Sequence, residues 1–358
     1  MKNLLIPLAA LALLIVTGCR GIGPGTVPRD RFEYSGAISE SWKRQALLNI
    51  VKLRYLDPPV FVDVGQIVAG YSLETGGNVG GQISSSTAIQ GNSLILGGSV
   101  RFTDRPTITY TPLTGNKFVK SLMTPLPPES VFYTIQSGWP ADAMLFITAA
   151  SLNGLKNQES SIAGVSPPDP EFLRALELLR KIQLSGAVGM RVLQDEQKRQ
   201  TTVMTFRAKD VPPQTLADIA ELRRLWGLNP DATEFKLVFG ATAANDRELA
   251  VLTRSMMHIM ATMAAQVEAP AAHLAEGRVA PGWESAGGAT NRPGLIRIQS
   301  AKSKPADAFV AIAYRDHWFW IDDRDLKSKR AFAFMMLLFT LAETGEKEPL
   351  PLITIPAQ

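Results

Sequence analysis

The chain has 358 residues, of which 46% are hydrophobic and 20% are charged. That length suits about two to three ordinary domains, and the composition excludes a disordered chain, a coiled coil or a multi-span membrane protein. The net charge of +4 is spread along the chain, so no nucleic-acid partner is predicted, because that would need clustered positive charge. One cysteine and three histidines exclude a disulfide framework and a Cys/His zinc module.

The N-terminus has the pattern of a secretory signal peptide. Lys2 precedes an apolar run from Leu4 to Val16, and small residues lead up to Cys19. A basic start, a short apolar run and small residues before a cleavage site are the features of such a signal. The run is shorter than the ~20 residues that a membrane-spanning helix needs. We therefore predict that residues 1–18 are removed.

Val16-Thr17-Gly18-Cys19 resembles the lipobox of bacterial lipoproteins. The resemblance implies that Cys19 carries acyl chains such as palmitate and becomes the first residue of a mature chain that the membrane holds through this anchor. Arg20, where an aspartate would signal retention, implies the outer membrane, with the body in the periplasm. Residues 19–34 are rich in Gly and Pro and are expected to form a flexible tether.

Beyond the tether, the pattern predicts an α+β fold in two domains with antiparallel sheets. The first domain would cover residues 35–163, and a Pro-rich linker at 164–170 would lead into the second at 171–358. The expected helices are 39–55, 116–123, 128–137, 141–155, 170–183, 212–226, 245–267 and 325–343. The expected strands are 60–73, 105–111, 187–193, 201–207, 234–239, 295–300, 308–314, 317–321 and 350–355. A long loop is expected at 269–294.

Residues 75–100 carry no charge at all and are rich in Gly, Ser and Asn. Within 75–103 we predict a β-hairpin, with Gly91 and Asn92 as its two-residue turn. Alternation then places most apolar side chains on one face, a candidate partner-binding surface. Its residues are Ile83, Ile89, Leu94, Leu96, Val100 and Phe102.

That hairpin has two possible roles. It could pack its apolar face on its own domain or on a partner, which is the interpretation we favour. Alternatively, copies of segment 78–103 from several subunits could build an outer-membrane pore or ring, since strands of about this length with alternating faces suit that use. The second layout is similar to that of curli-type secretion-channel lipoproteins, although no motif is shared.

Three strings resemble segments of uncharacterised envelope lipoproteins of Gram-negative bacteria. They run from Leu48 to Tyr55, from Arg105 to Gly115 and from Phe319 to Leu326. The resemblance implies no activity, cofactor or catalytic residue.

Catalytic signatures are sparse. The densest polar cluster is Asp316-His317 with Asp322-Asp323, which could bind a metal or act as acid and base. A cap by Asp322 or Asp323 on a helix that starts near Asp325 is the simpler interpretation. Gly-x-Ser-x-Gly, Walker A and His-Glu-x-x-His motifs are absent from the sequence. We therefore predict no catalytic residue, no metal site and no cofactor.

These observations predict a membrane-anchored periplasmic lipoprotein that acts as a non-catalytic assembly or interaction component of the envelope. Its partner would be another protein or further copies of itself. Two alternatives stay open: a subunit of an oligomeric outer-membrane pore or ring that uses 78–103, and an envelope enzyme or metal-binding protein that uses His317, Asp322 and Asp323.

Overall fold

A computed structural model describes residues 22–82, 93–161, 164–194, 200–207, 209–279, 282 and 294–342. The chain forms two compact units. Unit 1 is Met1–Ser41 with Val62–Leu113, and unit 2 is Trp42–Phe61 with Thr114–Gln358. Helices and mainly antiparallel sheets occur in separate stretches of the chain, so the fold is α+β, as predicted.

The first helix, α1 (Ile22–Arg54), begins much earlier than the predicted helix at 39–55. Residues 22–34 are therefore helical, where a flexible tether was expected. Pro24 is compatible with this start because N–H groups in a first turn have no intrahelical partner, whereas Pro28 lies one turn further inside the helix. Signal residues 1–18 and Cys19 lie outside the described residues.

The end of α1 is a Schellman motif. The Asp57 N–H donates to the Lys52 carbonyl at 2.9 Å, and the Leu56 N–H donates to the Leu53 carbonyl at 3.1 Å. Leu56 itself has φ 60, a left-handed conformation that glycine usually provides at this position. Asn49 fixes the chain that follows, because its amide exchanges two hydrogen bonds with the backbone of Val60, at 2.8 and 2.9 Å.

Unit 1 contains a long β-ribbon. Strand β1 (Phe61–Val68) pairs with β4 (Thr107–Leu113), and β2 (Tyr71–Gln82) pairs antiparallel with β3 (Ser93–Asp104). The Arg105 N–H donates to the Gly70 carbonyl at 2.9 Å, which continues the bonding between the two pairs. We call β2 and β3 together the ribbon.

The ribbon confirms the predicted hairpin but corrects its register. Val100 pairs with Thr75 and Phe102 with Leu73, whereas the predicted turn would have paired them with Ile83 and Gly81. Gln82 pairs with Ser93, where the predicted register would have placed Gln90, and the predicted turn residues Gly91 and Asn92 lie outside the described residues. The observed register differs from the predicted one by an even number of residues. The residues of each strand therefore lie on the faces that were predicted for them.

Unit 2 is built on a six-stranded sheet in the order β6-β5-β12-β11-β10-β9. Its β11 and β12 are parallel, and the other pairs are antiparallel. The strands are β5 (Ala149–Leu152), β6 (Leu155–Lys156), β9 (Val188–Gln194), β10 (Gln200–Phe206), β11 (Glu234–Phe239) and β12 (Glu248–Thr253).

The predicted domain boundary at 164–170 lies inside this unit. Strands from both sides of it join the same sheet, and the segment itself contains β8 (Gly164–Ser166), which pairs with β7 (Glu159–Ser161). The structure therefore divides the chain elsewhere than the sequence suggested, because a Pro-rich stretch can be a local turn within one body as well as a linker.

Five helices accompany the large sheet or lead into it: α2 (Asn116–Met123), α3 (Pro128–Gln136), α4 (Ala141–Thr148), α5 (Pro170–Leu184) and α6 (Pro213–Leu225). Helix α5 packs against both α4 and α6, and α3 contacts β9, β11 and β12. The apolar face of α5 is fully buried through Phe172, Leu178 and Ile182. The predicted helix at 141–155 ends at Thr148, where β5 begins.

The predicted helix at 245–267 is wrong in its first half. Residues 248–253 form strand β12, and helix α7 (Met256–Ala264) begins only after Ser255, which caps it. Strand β12 lies inside the sheet, and Leu249, Ala250 and Val251 are all completely buried. A strand buried on both faces has no alternation in its sequence, so its apolar run resembles a buried helix.

A second, three-stranded sheet completes unit 2, in the order β13-β15-β14. Its strands are β13 (Gln299–Ala301), β14 (Ala308–Tyr314) and β15 (His317–Asp322), and the remaining helices are α8 (Ala271–Ala275) and α9 (Leu326–Ala342). Helix α9 confirms the predicted helix at 325–343 and buries Phe332, Met335 and Leu338. The expected strand at 350–355 lies outside the described residues.

Candidate functional site

Four of the six predicted partner-binding residues lie on strand β3 of the ribbon. Val100 and Phe102 lie on β3 and are 75% and 53% exposed. Leu94 and Leu96 also lie on β3, at positions that pair with Gly81 and Val79. Ile83 and Ile89 lie outside the described residues.

Unit 1 has no core of its own in the part of it that the structure describes. Not one of its residues with a described exposure is buried. Ordering a residue costs about 1–2 kcal/mol of backbone entropy, which apolar burial must offset. A two-stranded hairpin without such burial is marginal in water. The large exposed apolar side chains of unit 1 include Val27, Phe32, Leu73, Val100, Phe102, Ile108 and Tyr110.

One face of the ribbon is apolar at its base. Tyr71 stacks on Phe102, with ring centroids 6.0 Å apart, and Leu73 is the cross-strand partner of Phe102. The α1 residue Arg29 donates to the Tyr71 hydroxyl at 3.4 Å and lies over its ring. The opposite face is polar and carries Glu74 directly across from Arg101.

No described strand pairs with either outer edge of the ribbon, because β2 and β3 pair only with each other. Every second residue of each strand therefore directs its backbone N–H and C=O away from the partner strand. Natural proteins guard such edges with charge or proline, but residues 75–100 contain neither.

The predicted acid–base cluster does not converge. His317 begins β15 and Asp322 ends it, so five residues, or about 16 Å of strand, separate them. Asp323 is paired with Lys329 Nζ at 2.7 Å. The predicted cap by Asp322 or Asp323 is wrong: the aspartate that caps α9 is Asp325, which accepts from the Ser328 N–H at 3.0 Å. No three His, Cys, Asp or Glu side chains in the described ranges are placed to hold a metal ion.

Instead, unit 2 brings together a histidine and a tyrosine that no spacing in the sequence connects. Tyr55 at the end of α1 and His273 in α8 are each only 5% exposed. The Tyr55 hydroxyl lies 2.7 Å from His273 Nδ1, and the His273 ring meets the His317 ring edge-on at 4.8 Å. We call Tyr55, His273 and the only partly buried His317 the buried triad, after its first two members.

A polar rim borders the buried triad. Tyr314 contacts the Tyr55 ring, and its hydroxyl donates to Asp57. Arg315 forms an ion pair with Asp57 at 3.1 Å and lies over the Tyr55 ring. Arg315 and Asp316 have φ 46 and 62, so the β14–β15 hairpin has a turn in which both central residues are left-handed.

Electrostatics favour the uncharged forms of Tyr55 and His273 near pH 7. Burial lowers the pKa of His273, and coulombic interactions with His317, Arg278 and Arg315 lower it further, against the opposing effect of Glu276. Burial also raises the pKa of the Tyr55 hydroxyl. The Tyr55–His273 hydrogen bond therefore joins two uncharged groups.

A second buried polar centre surrounds Arg254, which is 1% exposed. Its guanidinium donates to the Phe146 and Ile147 carbonyls at 3.2 Å and also to the Gln158 carbonyl. Two of these carbonyls belong to the last turn of α4, the negative end of that helix. Burial lowers the pKa of Arg254 to about 10. Because its guanidinium binds three backbone carbonyls, this arginine has a structural role.

A cavity of about 400 Å³ lies elsewhere in unit 2, between α1, α9 and the segment after α7. Its charged side chains already have protein partners: Arg297 meets Glu268 at 2.6 Å, Arg54 donates to the Val267 carbonyl at 3.3 Å, and Lys327 donates to the Gly294 carbonyl. These charged side chains of the cavity are therefore engaged with the protein itself, and they do not indicate a ligand.

No protein-family model matches the chain, and no match was found among curated proteins or solved structures. No helix in the described part of the chain combines the length and hydropathy needed to cross a membrane.

Proposed function

We propose that this protein is a lipoprotein, anchored in the outer membrane through acylated Cys19, and that it acts as a non-catalytic assembly or interaction component of the envelope. The observation that carries the proposal is the missing core of unit 1. Its described side chains are all at least partly exposed, whereas unit 2 buries an extensive core of its own. A segment of this kind gains its stability from a partner.

The ribbon is the part of unit 1 that would meet that partner. Val100 and Phe102 are large, apolar and exposed on one face, and the uncharged strands beside them leave both edges open. Large exposed apolar patches and open edges are the features that other proteins bind.

Two experiments test this function. Cys19→Ala should move the protein from the membrane fraction to the soluble fraction, and unchanged membrane association would contradict the anchor. Gentle detergent extraction of the wild-type protein, followed by mass measurement, should give a complex larger than one chain. Deleting residues 78–99 should reduce that complex to a monomer without changing the thermal transition of unit 2.

The pore or ring is the second candidate function. It is favoured by one observation: the 26 successive residues 75–100 carry no charge, and those that the structure describes lie in paired strands. Conductance of the extracted complex in lipid bilayers, lost on deletion of residues 78–99, would support this candidate over a plain assembly role.

A further inference from the structure

We infer that the partner of the ribbon is a second copy of this chain, added edge to edge, so that β2 of one copy pairs with β3 of the next. This inference rests on the proposed function, since it names the partner of the assembly surface. Each copy supplies both halves of the contact, because β2 and β3 each have one edge that no strand in the described part of the chain covers.

The two open edges are complementary in hydrogen bonding. A β-strand edge binds any strand that offers its own row of N–H and C=O groups. Antiparallel addition of β3 from one copy to β2 of another continues the pattern that already holds β2 to β3 within a chain. Because the surfaces in contact are different, each added copy leaves an open edge, and repeated addition closes into a ring if the rotation allows.

Charge supports the same pairing. Glu74 is the last charged residue before the uncharged stretch on β2, and Arg101 is the first one after it on β3. They are opposite each other within the chain, and both are exposed. With the same register between copies, Glu74 of each copy would lie beside Arg101 of its neighbour, and negative and positive groups would alternate along the assembly. Pairing of two β2 edges with Glu74 opposite Glu74 would instead place like charges together, which is unfavourable.

A disulfide experiment between copies tests this arrangement. Ser72 and Thr103 are partners in the ladder, next to Glu74 and Arg101 on the same polar face. One full-length chain would carry Ser72→Cys and a second, differently tagged chain would carry Thr103→Cys, so that neither can form a ribbon disulfide within itself. Co-expression and mild oxidation should give a mixed dimer that joins the two tags.

Three controls define the result. Each chain with one introduced cysteine, expressed alone, should give no more dimer than wild type, which has only Cys19. A mixture of Ser72→Cys with Thr109→Cys should also fail, since Thr109 lies six residues, about 20 Å, further along the chain from Thr103.

The possible failures are distinguishable. If the complex is larger than one chain but the mixed dimer is absent, or Ser72→Cys alone cross-links to itself, edge addition is overturned while the proposed assembly function stands. If the extracted protein is a monomer, both the inference and the assembly function are wrong.

Discussion

The Tyr55 hydroxyl lies 2.7 Å from Nδ1 of His273, although the two residues are 218 positions apart in the chain. This contact ties the end of α1 to the short helix α8, and the His273–His317 ring contact extends the connection to β15. All three residues belong to unit 2, so the buried triad is a junction of its tertiary structure.

Removing the Tyr55 hydroxyl tests that junction. Tyr55→Phe keeps the ring contacts with Tyr314 and Phe319 but leaves the buried His273 Nδ1 without its tyrosine partner. An unsatisfied buried polar group costs about 1–3 kcal/mol, so the free energy of unfolding in urea should fall by that amount. Tyr110→Phe changes an exposed hydroxyl on β4 and should leave the value unchanged. Equal stability of the two variants would show that the hydrogen bond contributes nothing.

Acid should destabilise unit 2. Burial lowers the pKa of both His258 and His273, with Arg254 lowering the first further and Arg315 contributing to the second. In the unfolded chain these histidines bind protons as the pH falls through about 6.5, while the folded protein keeps them neutral to lower pH. Stability is therefore retained above that pH and lost below it, by at most about 1.4 kcal/mol per pH unit for each histidine.

Urea unfolding measured from pH 8 to pH 5.5 checks this dependence. The variant with both His258→Gln and His273→Gln should have a flatter profile over that interval than wild type. A profile of unchanged slope would assign the acid sensitivity to other groups.

Replacing the buried cation Arg254 should lower the free energy of unfolding strongly. Arg254→Met removes the donors that bind the Phe146, Ile147 and Gln158 carbonyls, so these buried acceptors lose their partner. We expect a loss of about 3 kcal/mol or more in the free energy of unfolding. Arg191→Met removes a surface ion pair with Glu234 and should change the same quantity by less than about 1 kcal/mol. Similar losses in the two variants would contradict the structural role of Arg254.

Elements whose signals are local in the sequence were predicted correctly, and features that depend on distant residues were not. Helix α2 and strands β11 and β14 match their predicted bounds, because alternation, helical period and flanking prolines are local. Strand β12 was mistaken for helix because its burial depends on neighbours that lie far away in the sequence. The buried triad was missed for the same reason: His273 has no histidine or tyrosine partner near it in the chain, and α1 and β15 bring its partners to it.

The hairpin shows which part of a site a pattern can predict. Alternation in β3 correctly assigned Val100 and Phe102 to one face, since only the parity of the position matters. The register depends on the position of the turn, and a turn at Gly91-Asn92 implied a register that differs from the observed one. The residue opposite Val100 is therefore Thr75 and not the predicted Ile83. Because the faces of β3 were predicted correctly, the apolar face is best tested by substitutions on β3 alone.

The apolar face is tested by the double variant Val100→Asp and Phe102→Asp. Both side chains are exposed in a single chain, so the substitutions cost the isolated chain little. If assembly covers this face, each copy would bury two unpaired charges, at a cost of several kcal/mol per charge. We therefore expect the detergent-extracted complex to dissociate to monomers, while the thermal transition of unit 2 is unchanged.

The matched control is Ser99→Asp with Thr103→Asp. It adds the same charge to the same strand but on the polar face, where Arg101 lies between the two positions. Because this face already carries charge, assembly should persist, with a mass equal to that of wild type. Dissociation of both variants would indicate a general effect of negative charge on the ribbon. Persistence of both would show that the apolar face is not covered by a partner, since two buried aspartates per copy are too unfavourable for an intact interface to accommodate.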